Sequence, residues 1–361
     1  MNPAPARLLI ALCVAGAALS AARFIGGTGW YVSALAGWAG KSAYSVLIFQ
    51  SLYALGALVW SAGVLTLLYP WEQLLVLRFS GSGACVPGGI WGFWKQLFHL
   101  VKKENARPAS RDRLVFAAVP VLFAAAAVTA LGAAPRLFNP AEQSGNGGLF
   151  LLCGAGLLPG LLAAAGNWSA QTKHGVRLAN AGLTGVFVMA VPLLLSVLPL
   201  AMLAGGDSAS ALARAQNGGI LRWFFFTPVA GQLAFLLFLL SSAGLMGLRP
   251  LGSGDTALTP EYSGSNYALM QAGRCAQLAF FSALCGALFF GAGAAPFEAA
   301  RVLPGWFWFT VKLFMCAGLY LWLDGSFAPA GRRNLARLVF KFIAPLAALN
   351  LVGTGAYLCL R

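Results

Sequence analysis

Long apolar runs, separated by short polar segments, repeat along almost the whole chain. A helix that crosses a bilayer needs about 20 consecutive, mostly apolar residues, and nine runs in this sequence meet or approach that length. They cover residues 8–25, 44–69, 114–135, 148–165, 181–204, 222–247, 266–293, 305–325 and 338–360. The pattern predicts an all-α, polytopic transmembrane helix bundle with about nine spans.

The first run has some features of a secretory signal peptide. Arg7 precedes its apolar core, and small residues follow the core. However, Arg23 interrupts the end of the run and no clean cleavage site comes after it. We therefore expect the first run to be a retained helix.

The basic residues are concentrated in the segments 70–113, 166–180 and 326–341. These segments all fall on one side of the membrane if nine spans alternate in direction. Since Lys and Arg mark cytoplasmic loops, the chain is expected in the cell inner membrane, with its N-terminus cytoplasmic and its C-terminus external.

Composition supports the membrane assignment. Of the 361 residues, 59% are hydrophobic and only 9% are charged, whereas about 25% are charged in a typical soluble domain. A disordered chain is excluded, and a soluble globule has too little charge here to cover its surface. The net charge of +15 would suggest nucleic acid in a soluble protein, but bases placed between apolar runs are topology signals, so no nucleic-acid partner is expected.

Residues 88–104 are apolar but too short to cross the membrane. Ile90, Phe93, Leu97 and Val101 recur at helical spacing, with lysines on other faces. A helix rich in Trp and Phe with a basic face is typical of the membrane interface. The alternative is an ordinary helix in a cytoplasmic loop.

A few polar residues are candidates for function. Arg274 and Lys312 lie inside predicted spans, where a charge is costly unless it faces a polar interior or snorkels to the interface. Glu72 and Glu261 adjoin apolar sequence on the predicted cytoplasmic side. The seven cysteines form no C-x-x-C pair and there are only two histidines, so no metal or haem site built from this chain alone is expected.

The order of several motifs resembles the H subunit of NADH-quinone oxidoreductase, the complex I membrane subunit 1 family, which has relatives in membrane-bound hydrogenases. The most specific stretch is EYSGSNYALMQAGRCAQLAFFSALCGALFFG at 261–291. A second match covers 311–349, with Lys312, LWL, a basic loop and K-x-x-x-P. Further matches are Trp71-Glu72, Lys103-Glu104 and Val176-Arg177. The resemblance covers 44–361, and 1–43 would be an extra N-terminal helix with an external loop.

The resemblance implies a membrane subunit that contributes to the quinone-binding cavity and to the start of the proton pathway, and that is not catalytic alone. Quinone would be the substrate, and this chain would bind no cofactor itself. NADH, FMN and iron–sulfur clusters would be on partner subunits. The partners implied are hydrophilic subunits at the quinone site, antiporter-like membrane subunits and membrane lipids. Candidate residues for the cavity and proton path are Glu72, Glu104, Arg177, Arg249, Asp255, Glu261, Arg274 and Lys312.

The chain departs from the family pattern at several charged positions. A family glutamate in the fifth span aligns near Val186, and another in the seventh span aligns with Arg274. Asp324 stands where a base is usual, and the loop 247–260 keeps Asp255 as its only acid. Because a proton relay needs titratable side chains, the resemblance implies weakened proton coupling.

Three other functions remain open from the sequence. The chain could be the membrane anchor of a complex I-related hydrogenase, a secondary transporter, or a structural paralogue without a catalytic role. Secondary transporters often contain internal inverted repeats, and the two halves of this sequence show no convincing similarity.

Overall fold

The computed structural model describes residues 59–75, 91–105, 111–133, 148–227, 230–251, 262–297, 303, 305–328 and 336–360. Over these residues the chain is helical apart from turns and connections, and the only strand-like pairing there is an isolated bridge between Gly148 and Ser208. The predicted all-α bundle is confirmed. The first predicted span lies outside the described residues.

The helices are numbered in chain order. They are α1 (59–75, as far as it is described), α2 (Gly92–Lys102), α3 (Arg113–Ala133), α4 (Leu149–Ser169), α5 (Lys173–Ala204), α6 (Ala209–Ala215), α7 (Ala230–Leu245), α8 (Gly264–Phe289), α9 (Gly305–Ser326) and α10 (Ala336–Leu360). Within the described residues, six of these helices are long and apolar enough to cross a membrane, namely α3, α4, α5, α8, α9 and α10. The count of nine spans stays a prediction.

Helix α5 starts earlier than the apolar pattern suggested. The segment 166–180, expected as a loop, contains the end of α4 and the first turns of α5. The Thr172 side chain accepts a hydrogen bond from the Gly175 backbone N–H at 2.9 Å and so caps the new helix. Basic residues on the first turns do not prevent helix formation because they point outward.

Helix α7 is shorter than the predicted span 222–247. The residues before it form two short 3₁₀ turns, Ile220–Arg222 and Phe224–Phe226. A Cβ atom at Gly231 would overlap the carbonyl oxygen of Phe224, so glycine lets the second turn fold against the start of α7. An apolar run alone does not distinguish a helix from apolar turns packed on it.

Helix α1 continues past residue 69, where the predicted span ended. The added turn is held by packing rather than by local propensity. A Cβ atom at Gly318 of α9 would lie 3.8 Å from the indole nitrogen of Trp71, and Trp60 packs on Phe309 with ring centroids 6.1 Å apart. These two contacts run along α1 and α9 in the same order, so the two helices are parallel.

Helix α8 forms the centre of the bundle. Of its most apolar window, 89% is buried, against 22% for the peripheral α10. It packs against α3, α9, α2, α7 and α4. Small residues on its neighbours let the helices approach closely, as is typical of membrane bundles. At Gly156 of α4, a Cβ atom would lie 2.7 Å from the ring of Phe281.

Gly156→Ala is expected to destabilise the protein. The added methyl would press on Phe280 and Phe281, which are 1% and 0% exposed, and overpacking costs about 1–3 kcal/mol. Gly154→Ala on the same helix is the matched control, because nothing lies within 4 Å of its added Cβ. Thermal unfolding of the detergent-purified protein measures both. Equal melting temperatures for the two variants would contradict this packing.

Candidate functional site

Glu72 lies where α1 meets the middle of α8. The Cys275 thiol donates a hydrogen bond to Glu72 Oε2, with a sulfur–oxygen distance of 3.9 Å. Arg274 attracts the Glu72 carboxylate and Asp324 repels it. Since Cys275 is eleven residues into α8, this contact lies about 16 Å along the helix from its first residue. Glu72 is half-buried at this position.

Tyr69 extends this polar region towards α2. Its hydroxyl donates to Gln96 Oε1 and interacts electrostatically with Cys275 and Glu72. Tyr69 precedes Glu72 by three residues, so both side chains lie on one face of α1. We refer to Tyr69, Glu72, Gln96, Arg274 and Cys275 as the Glu72 group.

Helix α2 is fixed to α1 by one face. Phe93 is 3% exposed and lies between Tyr69 and Trp94, with ring centroids 5.7 Å and 5.3 Å away. The Trp94 indole donates to Thr66 Oγ1 at 2.7 Å. The other faces of α2 and the residues at its ends expose Trp91, Phe98, Val101 and the lysines at 95, 102 and 103. The predicted amphipathic character of this helix is confirmed, and its inner face closes one side of the Glu72 group.

The residues after α2 are joined to the start of α8. Gly264 has φ +57°, and a Cβ atom there would lie 2.7 Å from the Lys103 carbonyl oxygen and 2.9 Å from that of Glu104. Asn105 Nδ2 donates to Ser265 Oγ at 2.8 Å. A side chain at position 264 would therefore push the two segments apart. Glu104 contributes its backbone to this junction, while its side chain is exposed.

Tyr262 closes the same end of the bundle. It stacks on Phe116 of α3 with ring centroids 4.3 Å apart, and its hydroxyl donates to the Phe116 carbonyl at 3.1 Å. Tyr262 precedes α8 and lies outside the spanning segment. Burial raises its pKa to about 12, so the hydroxyl keeps its proton and this hydrogen bond at physiological pH.

Arg249 and Asp324 form an ion pair between the end of α7 and the end of α9. Asp324 Oδ1 accepts from the Arg249 backbone N–H at 2.9 Å, and Asp324 Oδ2 lies 3.4 Å from Arg249 Nη2. The side chains are 43% and 23% exposed, so the charge attraction itself is screened and weak. The hydrogen bond from the Arg249 backbone N–H to Asp324 holds the segment that follows α7 against the end of α9.

Lys312 is far from the Glu72 group. It is 5% exposed, and its ammonium donates to the carbonyl oxygens of Ala292 at 2.9 Å and Ala294 at 2.7 Å. The ring of Trp223 covers it, with Nζ 4.3 Å from the ring centroid. Lys312 precedes Asp324 by twelve residues on α9, which places them about 18 Å apart along the axis. The buried ammonium is thus held by backbone carbonyls in the connection between α8 and α9.

The structure thus brings together some of the predicted residues and separates others. Glu72 and Arg274 share one region, with the Arg249–Asp324 pair beside it. Arg177, expected before the fifth span, lies on an exposed face in the second turn of α5. Asp255 and Glu261 lie outside the described residues.

Sequence reasoning missed several residues that contribute to these regions. Tyr69 could have been found from its spacing to Glu72, and Cys275 from its position beside Arg274. Gln216 gave no signal: its buried amide donates to the carbonyls of Ala287 and Leu288 at 3.3 Å and 3.1 Å, capping the end of α8. Within the part of the chain that is described, no three His, Cys, Asp or Glu side chains lie close enough to hold a metal ion.

Comparisons with known proteins give one consistent family. The family model described as NADH dehydrogenase matches residues 78–355. The H subunit of NADH-quinone oxidoreductase from Desulfotalea psychrophila is 23% identical over 288 residues, covering 76% of this chain and 86% of that protein. The H 1 subunit from Geobacter metallireducens is 28% identical, covering 78% and 87%. The H 2 subunit from Cereibacter sphaeroides is 27% identical, covering 86% and 97%.

A solved structure shares the fold. It is a chain of the membrane-bound sulfane sulfur reductase, described as an archaeal respiratory membrane complex. The TM-score is 0.68 at 17% sequence identity, over 84% of this chain and 98% of that chain. At this identity the likeness shows a common helical architecture.

Lys312→Met is expected to destabilise the protein by about 1–3 kcal/mol, because the buried carbonyl of Ala292 and the half-buried carbonyl of Ala294 would lose their donor. Met keeps the length and apolar stem of lysine, so packing changes little. Lys341→Met is the matched control, since Lys341 is exposed and lies only near the Phe342 ring, 5.7 Å from its centroid. Thermal unfolding in detergent compares them. If Lys312→Met melted at the wild-type temperature, the two carbonyl contacts would contribute nothing.

Proposed function

The chain belongs to the NADH dehydrogenase family, and on that premise we propose that it serves as the H-type membrane subunit of a complex I-like NADH-quinone oxidoreductase. The observation that carries the proposal is the family match over 78–355. The H subunits from Desulfotalea psychrophila, Geobacter metallireducens and Cereibacter sphaeroides are matched over 86–97% of their own length. The chain is a multi-pass membrane protein, and as a single subunit it is not catalytic alone.

The proposed quinone-side region is the Glu72 group. A quinone carbonyl accepts hydrogen bonds, and its reduction to a quinol takes up two protons. Tyr69 and Gln96 supply hydrogen-bonding groups beside the Glu72 carboxyl, and α2 closes one side against the apolar surroundings. Glu72 would hold a proton close to the substrate, with Arg274 offsetting its charge when it is ionised.

Glu104, Glu261 and Asp255 are proposed to line the mouth of the same cavity. Support for Glu104 is its place at the junction between the end of α2 and the start of α8. Support for Glu261 and Asp255 comes from the resemblance and from their place in the chain before α8. Arg177, Arg249 and Lys312 have no contact with the Glu72 group among the described residues and are proposed only as outer elements of the path.

The proposed assembly places this chain in the cell inner membrane, with the N-terminus inside and the C-terminus outside. Hydrophilic subunits that carry NADH, FMN and iron–sulfur chemistry would dock on the cytoplasmic side, and antiporter-like membrane subunits would pack beside the bundle. The exposed basic and aromatic face of α2 lies on the proposed docking side.

A second candidate is the membrane subunit of a related respiratory complex with a different electron donor or acceptor, such as a complex I-related hydrogenase. This second candidate is favoured by the fold that the protein shares with a chain of the sulfane sulfur reductase complex. Purification of the tagged chain with its native partners decides between the two. Subunits with flavin and NADH-oxidising activity support the first candidate, and a nickel-containing subunit supports the hydrogenase. The family match leaves a secondary transporter without support.

Glu72→Gln is expected to lower quinone-linked turnover of the assembled complex by roughly ten-fold or more, since a positioned proton donor contributes at least that much. Gln keeps the shape and accepts the Cys275 hydrogen bond but holds no titratable proton. Asp112→Asn is the matched control, because Asp112 is an exposed acid whose side chain accepts from the Leu114 backbone N–H. Turnover with a soluble quinone analogue measures both. Unchanged turnover for Glu72→Gln would remove Glu72 from the site.

The assembled complex is expected to take up fewer protons per electron than an acid-rich relative. Val186 is 6% exposed and cannot carry a proton, and the Arg274 guanidinium does not release one. The combined change Val186→Glu and Arg274→Glu is expected to raise the number of protons taken up per electron. Each single change leaves one position of the relay without a side chain that can release a proton. Proton uptake by vesicles during electron transfer is the measurement. No gain from the double change would show that the divergence is not simply a broken relay.

A further inference from the structure

Helix α9 carries a line of hydrogen-bonding side chains at intervals of four residues. They are Lys312, Cys316, Tyr320 and Asp324, and we call them the α9 stripe. Side chains four apart lie above one another on one helix face. Cys316 and Tyr320 are 0% exposed and Lys312 is 5% exposed. The stripe therefore faces the bundle interior, and it extends about 18 Å, most of the length of the helix.

Neighbouring helices add polar groups to the stripe. The Tyr320 hydroxyl lies 2.6 Å from Ser242 Oγ of α7, and it interacts with the thiols of Cys285 and Cys316. Lys312 interacts in turn with Cys316. In a core that is otherwise made mostly of Phe, Leu and Ala, the Tyr320–Ser242 contact and these electrostatic interactions place several polar groups between the middle of α9 and Lys312.

The two ends of the stripe meet polar surroundings of different kinds. Asp324 lies at the end shared with Arg249 and interacts with Glu72. Lys312 lies at the other end, on the carbonyls of Ala292 and Ala294. The stripe thus begins beside the Glu72 group and ends in the connection between α8 and α9.

We propose that the α9 stripe, with Ser242 and Cys285, is a path for protons from the Glu72 region to the opposite end of the bundle. A hydroxyl, a thiol and an ammonium each have a proton to give, and each can take one after giving it. The Lys312 ammonium has no lone pair, so it first releases a proton to solvent water at its end of the bundle, and the free amine then takes a proton from the group before it. Every step moves one proton to a lone pair on oxygen, sulfur or nitrogen, and no electron moves. Because the Tyr320 side chain leans towards the start of α9 and away from Asp324, the step from Asp324 would pass through a water molecule.

The proposed path along the α9 stripe differs from a proton relay through positions 186 of α5 and 274 of α8, where this chain has Val186 and Arg274. It uses only side chains of α7, α8 and α9 that this chain has. The protons that the complex still moves, at the lowered proton-to-electron ratio expected of it, would follow the α9 stripe. The proposal depends on the proposed function for its driving reaction alone, since the line of groups exists without it.

Tyr320→Phe is the decisive variant, because it removes one hydroxyl and keeps the ring. In vesicles containing the assembled complex, the proton uptake beyond the one proton per electron that quinol formation itself consumes is expected to fall roughly ten-fold, with the rate of electron transfer unchanged. Tyr357→Phe on the exposed face of α10 is the matched control, and its proton-to-electron ratio should equal that of the wild type. An unchanged ratio in Tyr320→Phe overturns the proposal, as does a wild-type complex that takes up no protons beyond the one per electron consumed in quinol formation.

A second measurement needs no electron transfer. An imposed membrane potential drives a small proton flux across the same vesicles, and Tyr320→Phe is expected to reduce it relative to Tyr357→Phe. If the complex does not reduce quinone, the proposed function fails, and this flux alone decides on the path. Equal fluxes then overturn it. Cys316→Ala replaces Tyr320→Phe in both assays if the latter does not assemble.

Discussion

The rest of the bundle depends on one constraint, which is that α8 has almost no contact with anything but protein. Hydrocarbon supplies no hydrogen-bond partners, and 89% of the apolar window of this helix is buried. Every polar group along α8 must therefore be satisfied by a neighbouring helix or by its own backbone. Cys275 uses Glu72, and Ser282 uses the Leu278 carbonyl at 2.7 Å. Gln216 satisfies the carbonyls at the end of the helix.

These requirements leave two polar levels beside α8, and the α9 stripe runs between them. One level holds Glu72 and Arg274 and has α2 as its cover. The other holds Lys312 under the Trp223 ring. Between the two levels the core is aromatic and aliphatic, so a side chain that carries a hydroxyl there, such as Tyr320, has few partners to choose from. Its contact with Ser242 at 2.6 Å fixes the approach of α7 to α9.

The sequence predicts the spans well and the contacts between them poorly, for physical reasons. Hydropathy reports burial in any apolar medium, so it finds α3, α4 and α8 but also counts the 3₁₀ turns before α7 as span. The start of α5 depends on the Thr172 cap, a single hydrogen bond that no apolar pattern contains. The pairing of Glu72 with Cys275 joins residues 203 positions apart. Nothing local to either residue indicates the other, and only packing brings them together.

Two departures from the family pattern, the charge reversals at Arg274 and Asp324, are explained together by their common neighbour Glu72. The resemblance places a glutamate where this chain has Arg274 and a base where it has Asp324, and both side chains act on Glu72 with opposite signs. The two reversals therefore offset each other: a change of about +2 at one position accompanies a change of about −2 at the other. A buried carboxyl group can keep its place when a neighbouring acid and a neighbouring base are exchanged, provided that the electrostatic potential at its oxygens is unchanged. Charge balance around Glu72 is kept by this exchange, whereas the capacity of position 274 to hold and release a proton is not, because guanidinium keeps its proton. Selection for the folded bundle and selection for a particular proton route are thus separable at these positions.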